Sequence, residues 1–171
     1  MGKDNKEDRV IVLDVDGTLT DGVITYSSSG EELKSFHAQD GFILKQLSDL
    51  GYRIIVLTGR DSEVVSRRMK ELGINEVFQG TGSDKLSFYL KLIENEQIDE
   101  KDICYIGDDI PDWPIMRRVG MPACPADACE EVKEVSRYIS PKNGGKGAVR
   151  DILEHYLKEN GQWAEVIKGF S

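Results

Sequence analysis

Cysteine is scarce in this chain. Cys104, Cys124 and Cys129 are the only three among 171 residues, and no two of them have C-x-x-C spacing. An odd number without that spacing favours reduced cytosolic thiols over a disulfide or zinc framework. Positive charge is in deficit: 22 Lys and Arg face 31 Asp and Glu, a formal net charge of -9. Nucleic acids select basic patches, so this balance argues against them as partners. An anionic substrate would need a metal ion and local lysines or arginines. Long apolar runs are missing too, and nothing approaches the length of a membrane span. The opening M-G-K-D-N-K-E-D-R has no apolar h-region, so no standard signal peptide is expected. Lys6 stands where a myristoylation site wants Ser or Thr. These absences lead us to expect a cytoplasmic protein that binds neither nucleic acid nor membrane. A chain of this length most simply makes one domain, 1–171, burying roughly 70% of its unfolded surface.

The richest stretch is Val10–Gly22, V-I-V-L-D-V-D-G-T-L-T-D-G. Its four apolar residues read as a buried strand covered on both faces. Burying an unpaired carboxylate costs several kcal/mol, so Asp14 and Asp16 belong just beyond the strand's carboxyl end. Open α/β sheets bind ligands at that edge. Two like charges so close are tolerated when a cation lies between them or one holds a proton. Taken alone, D-x-D also fits an acidic turn capping a strand.

Further along, Val23–Tyr26 and Leu33–Phe36 flank a Ser/Gly turn, Ser27–Gly30, and predict a β-hairpin within about 21–37, hanging over that strand end. Asp40 is a plausible N-cap for a helix to Leu50, with Phe42, Ile43, Leu44, Leu47 and Leu50 on one side and Gly51 ending it. Ile54–Leu57 reads as a second buried strand, followed by a helix over Ser62–Leu72 closed by Gly73. Glu76–Gln79 is a weak strand, and Ser83 or Asp84 caps a helix to Asn95. Ile103–Ile106 is the next strong strand, ending in G-D-D-I-P-D-W-P, where Pro114 suits the first turn of a helix reaching Val119. Met121–Cys124 and Tyr138–Ile139 read as short edge strands with a helix Asp127–Val135 between them. Gly147–Glu159 is the last helix, and a tail, 160–171, carries Trp163, Ile167 and Phe170. Strands alternating with helices imply an α/β fold, a Rossmann-like, mainly parallel sheet with helices on both faces. The three strongest strands end in Asp14/Asp16, Thr58/Arg60 and Asp108/Asp109, so these groups converge on one edge.

Each signal alone has an ordinary reading. L-T-G-R fits a helix-capping turn, Lys85 a solvated helix lysine, and G-D-D-x-x-D an acidic loop before a helix N-terminus. Their order changes this. D-V-D-G-T, a strand-terminal Thr, a lysine and G-D-D-x-x-D together resemble the four ordered motifs of haloacid dehalogenase-superfamily phosphatases. From about Val10 to Gly161, further segments resemble the branch acting on 3-deoxy-D-manno-octulosonate 8-phosphate: G-E-E-L-K-S-F, T-G-R, Y-I-G-D-D-I-P-D-W-P and G-G-K-G-A-V-R. The chemistry can be argued beside the resemblance. Asp14 suits a nucleophile that takes a phosphoryl group. Asp16 suits the general acid for the leaving alcohol, then the base for water. Oxygen donors from Asp14, the Asp16 main-chain carbonyl and Asp108 suit Mg²⁺, and no His/Cys set that zinc prefers is present. Thr58 and Lys85 match the superfamily's phosphate-holding positions. Asp109 and Asp112 follow the metal motif and are expected to orient metal-bound waters and Lys85.

The resemblance also implies substrate contacts and an assembly. Gly59, Arg60, Arg68, Lys85 and Thr18 are the expected substrate-binding residues, with Arg60 and Arg68 on one helical face meeting a 2-keto acid carboxylate. No large cap domain fits the spacing; the family's solution is a homotetramer whose hairpin covers a neighbour's site. Local packing would equally explain the apolar residues of that hairpin. Gly144–Gly147 could hold an anion at a helix start or act as a hinge. In the family the tail reaches an active site, making Gly161–Gln162 onward a possible gate. Three readings result: a Mg²⁺-dependent octulosonate 8-phosphate phosphatase of lipopolysaccharide precursor synthesis, the same chemistry on a nine-carbon or other sugar phosphate, and an inactive tetramerising module.

Overall fold

Strand β1, Val10–Leu13, is buried along its whole length and sits between two parallel partners. On one side lies β4 (Arg53–Leu57), pairing Leu13 with Val56; on the other lies β6 (Ile103–Ile106), pairing Leu13 with Ile106. The computed structural model describes residues 10–170. Readings of the first nine residues and of Ser171 fall outside them. The sheet continues outward through β5 (Glu76–Phe78), β7 (Met121–Cys124) and β8 (Tyr138–Ile139), in the order β5-β4-β1-β6-β7-β8, every pair parallel. After β1 the chain builds first on one side and then on the other. The carboxyl ends of β1, β4 and β6 therefore frame a crevice at a topological switch point.

Side chains of β1 alternate between two cores, as strand geometry requires. Ile11 and Leu13 join α1 (Ala38–Asp49), α2 (Glu63–Glu71) and α6 (Ala148–Glu159) on one face. Val10 and Val12 join α3 (Lys85–Glu96), α4 (Trp113–Met116) and α5 (Glu130–Val135) on the other. Between β1 and α1 the inserted structure is a hairpin of two-residue strands, β2 (Thr25–Tyr26) and β3 (Glu32–Leu33). Among the described residues no helix is long and apolar enough to cross a membrane.

Several local expectations need correction. Asp40 does not cap α1; His37 is the residue before the helix, and Asp40 is buried in the first turn with its side chain turned to another helix. Phe42 leaves the apolar stripe and packs on Phe170, ring centroids 5.4 Å apart, because the core side of α1 is filled by Ile43, Leu44 and Leu47. Helix α4 stops at Met116, short of Val119, where Arg118 N–H turns tightly back to the Ile115 carbonyl. Met121–Cys124 is an interior strand rather than an edge, since β8 pairs beyond it. The tail is not a bare extension. It forms α7 (Trp163–Ile167) and a 3₁₀ turn, Lys168–Phe170, with Val166 buried in the core against α6.

Candidate active site

The first wall of the crevice is the turn after β1. The Asp14 N–H extends the ladder to the Ile106 carbonyl at 3.0 Å, and the amides of Thr18, Leu19 and Thr20 then all turn back to the Val15 carbonyl. Gly17 permits this with φ +88°, a left-handed conformation, and a Cβ there would collide with the Asp108 carboxylate. The loop can close on Asp108 only because glycine stands at that position. Thr18 is buried, and its hydroxyl donates to Asp108 Oδ1 at 2.9 Å.

The second wall follows β6. Asp112 is fully buried and accepts four hydrogen bonds: from Tyr105 Oη at 2.7 Å, Lys85 Nζ at 2.8 Å, and the backbone amides of Asp108 and Asp109 at 3.1 and 3.4 Å. It thereby fixes the loop that carries Asp108. Lys85, the first residue of α3 behind the Asp84 cap, also forms an ion pair with Asp14 Oδ1 at 2.8 Å. One ammonium is thus shared by two carboxylates in a buried setting.

Carboxylate oxygens of Asp14, Asp108 and Asp112 lie within 4.8 Å of one another. With Lys85 as their cation, the cluster is short of positive charge. Burial, then repulsion from Asp112, pushes the Asp14 carboxyl up to about 7, against the pull of Lys85. Burial, then Asp14 and Asp112, pushes Asp108 up to about 8. A divalent cation supplies the missing charge, and an all-oxygen donor set suits Mg²⁺. Because the oxygens of Asp112 are already engaged, Asp14 and Asp108 are the side chains left to hold it.

The cleft in front of this cluster has a volume of about 240 Å³ and brings together Asp14, Asp16, Thr58, Gly59, Arg60 and Lys85, with Asp108, Asp109 and Asp112 across from them. A larger hollow of about 440 Å³ opens beside Lys101 and Gly120 at the opposite edge, where β6 and β7 begin. It lies away from the converging carboxylates. Asp16 is the more exposed member of the D-x-D pair, and its carboxylate leaves the metal cluster to pair with Lys34, with Arg60 Nε at 3.8 Å. Any part it takes in holding a metal falls to its main chain. Arg60 Nη2 in turn donates to Tyr26 Oη at 2.9 Å and to Glu32 Oε1 at 3.3 Å. The Ser62 hydroxyl, then Lys34 and Arg60, hold Glu32 below the usual carboxylate range despite its burial.

Some expected site residues are placed elsewhere. Arg60 precedes Ser62, the cap of α2, so Arg60 and Arg68 do not share a helical face. Arg68 lies over the Phe36 ring at 5.8 Å and pairs with Glu71 at 3.3 Å, outside the walls of the cleft. Thr18 spends its hydroxyl on Asp108 and braces that residue rather than lining the cleft. Gly144–Gly147 precedes α6, but the Arg150 N–H that would greet an anion there is already taken by Asp40. Lys34, Tyr26, Glu32 and Tyr105 were not foreseen. Glu32 and Lys34 are two residues apart, which puts them on one side of an extended chain; that spacing was a usable signal. Nothing in the sequence separates Tyr105 from an ordinary core tyrosine.

A parallel sheet with an aspartate, a threonine and a second acid pair at its strand ends, and a lysine reaching them from the start of a helix, defines a haloacid dehalogenase-like hydrolase. The chain belongs to that family, whose model matches residues 43–120, from α1 through the Asp108–Asp112 loop. Curated relatives over most of the length are 3-deoxy-D-manno-octulosonate 8-phosphate phosphatases. The protein of Escherichia coli K12 is 36% identical over 157 residues, covering 92% of this chain and 83% of that one. The Yersinia pestis protein is 37% identical over 149 residues, covering 87% and 79%. Among solved structures, the phosphatase of that name from Moraxella catarrhalis, in complex with magnesium, phosphate and a KDO molecule, superposes with a TM-score of 0.90. It is 40% identical, over 97% of this chain and 95% of that one. A cobalt-bound form from Haemophilus influenzae gives 0.83 at 35% identity, covering 94% of each chain.

Proposed function

We propose that this protein is a Mg²⁺-dependent phosphomonoesterase that hydrolyses 3-deoxy-D-manno-octulosonate 8-phosphate to the free sugar acid and phosphate, in lipopolysaccharide precursor synthesis. The observation that carries this reading is the close trio of buried Asp14 and Asp112 and partly buried Asp108, with Lys85 paired to the first two. The relatives' substrate gives the leaving group. Asp14 Oδ attacks phosphorus, forming an aspartyl-phosphate as the bond to the sugar oxygen breaks. Asp16 gives that oxygen its proton, then takes one from the water that attacks the acyl phosphate and frees Asp14. When bound by Asp14, Asp108 and the Asp16 carbonyl, Mg²⁺ supplies positive charge to the phosphoryl oxygens. Lys85 and the Thr58 hydroxyl add donors to the same oxygens, while Asp109 and Asp112 orient what surrounds them. Gly59 and Arg60 line the cleft, and in this reading Arg60 meets the carboxylate of the sugar acid. Thr18 and Arg68 act behind these groups.

The same reading extends to assembly and location. The hairpin exposes Val23, Tyr26 and Leu33, each more than half accessible at 61%, 59% and 53%, an apolar strip suited to a homotetramer in which it covers a neighbouring site. A cytoplasmic, single-domain enzyme fits the thiol and charge balance. The test is phosphate release from a panel of sugar phosphates with Mg²⁺, read as kcat/KM. The octulosonate 8-phosphate is expected to lead the panel, ahead of nine-carbon sugar acid and hexose phosphates. Turnover should stop with EDTA and fall at least about 10³-fold in Asp14→Asn. Full turnover by Asp14→Asn would rule out the covalent route, and a silent panel would restore the inactive module.

A further inference from the structure

We infer that Asp40, remote from the cleft, is a positioning residue that ties the exit of the hairpin to the loop bracing Asp108, and so sets the affinity for the divalent cation. The inference rests on the phosphatase reading only in taking Asp108 as a metal-holding residue.

Helix α6 is preceded at its cap position by Gly147, which has φ +93° and no side chain with which to cap it. A cap residue normally accepts from the second or third amide of its own helix. Here the third amide, that of Arg150, donates at 2.7 Å to Oδ1 of Asp40, 110 residues earlier and on α1. Asp40 is 1% exposed, and among the described residues its Oδ2 is buried without a hydrogen-bond partner. Burial raises its carboxyl above the ordinary value against the Arg150 and Gly147 amides, His37 and Lys142. A buried carboxylate with one oxygen unmatched costs stability, so its one strong bond marks what the residue does. His37, the last residue before α1, closes the same joint: a Cβ on Gly147 would sit 3.3 Å from its Cε1.

From that joint the contacts run to the metal cluster. Gly145 N–H donates to the Thr18 carbonyl at 3.1 Å, and Gly144 N–H donates to Asp127 Oδ1 at 2.9 Å. Gly144 lies so close to the Gly17 carbonyl that any side chain there would collide with it. Thr18 then donates its hydroxyl to Asp108, and Gly17 presses on the same carboxylate. With the Asp40 contact released, the start of α6 is free to shift, and the 144–147 loop loses its fixed seat against Gly17 and Thr18.

The experiment is thermal melting of the full chain against Mg²⁺ concentration, which reads cation binding without activity. Asp40→Ala should need about ten-fold more Mg²⁺ for half of the stabilisation, at the lower end of the effect of removing a group that orients a ligand. Asp40→Leu, which keeps the forked shape but accepts nothing, should behave alike if the alanine variant does not fold. Asp40→Asn should restore most of the affinity, since its amide oxygen still accepts from Arg150. Ile152→Val, in the buried face of the same helix, should lower the melting temperature without moving the Mg²⁺ midpoint. An unchanged midpoint in both Asp40→Ala and Asp40→Leu overturns the inference, as does an equal shift in Ile152→Val. A wild-type melt indifferent to Mg²⁺ would instead remove the metal-dependent reading beneath it.

Discussion

Lys85 has two acidic neighbours 2.8 Å away and almost no contact with water, so it is held in its charged form despite burial. Asp14 and Asp108 are left undercompensated, and this sets a pH dependence of stability. Their folded-state values, about 7 and about 8, exceed the ordinary 3.8. Between those limits the metal-free folded protein holds more protons than the unfolded chain. Their stabilising contribution is therefore fully present below about pH 4 and is lost as pH rises through about 7 to 8. Mg²⁺ competes for the same oxygens, so its effect should have the opposite trend. Melting curves with and without Mg²⁺ should differ little near pH 5 and widely near pH 8. An equal Mg²⁺ effect at both values would show that protons and metal do not share these groups.

The hairpin is the element with the most direct hold on Asp16. Lys34, buried on β3's exit, pairs with Asp16 and with Glu32 at 3.5 Å, while Tyr26 and Glu32 grip Arg60 from β2 and β3. Misplacing a reacting group by an ångström can cost about 10²-fold. Lys34→Ala should accordingly lower kcat/KM on the order of 10²-fold while leaving Mg²⁺ binding, set by Asp14 and Asp108, near the wild-type value. A parallel loss of Mg²⁺ binding would place Lys34 in a general structural role. At this scale the sequence was readable where hydrophobic runs and caps agree: the helix expected from Ser62 is capped by Ser62, and of Ser83 and Asp84 it is Asp84 that caps the next. It was unreadable where a side chain serves a distant element. Asp40 has the residue type of a local cap, and its true partner lies 110 positions on. Arg68 has helical spacing that points anywhere around an axis; the groove it fills between Phe36 and Gly41 exists only after folding.

For the whole molecule, one switch point gathers residues from 14 to 112 onto a single edge, which is why ordered motifs far apart in sequence identify the class. The parallel sheet and the gathering of Asp14, Thr58 and Asp108 in one cleft were legible because strand ends must converge, whereas Lys85, at the start of α3, was marked by the resemblance alone. The hairpin itself was legible from its Ser/Gly turn, but its strands are two residues long and one of them lies at Glu32–Leu33 rather than Leu33–Phe36, a register that no periodicity records. Exposed Val23 and Leu33 on that hairpin predict association. Val23→Glu with Leu33→Glu should convert a tetramer to smaller species in sedimentation and reduce kcat/KM, with the melting of the sheet core little changed. A tetramer that survives both charges would move the interface elsewhere.

The two tryptophans are positioned to report on different parts of the molecule. Trp113 directly follows Asp112, with Arg117 over its ring at 4.8 Å, while Trp163 sits in the tail beneath Arg150 and Lys158 at 5.1 and 5.7 Å. Each indole thus has a cation of its own and a separate optical environment. Trp163→Phe leaves a single emitter beside the carboxylate cluster, and its fluorescence should change on adding Mg²⁺ and inorganic phosphate. Trp113→Phe leaves an emitter that follows the tail. The two single-tryptophan variants then report separately on the carboxylate cluster and on the tail, in real time and without any turnover.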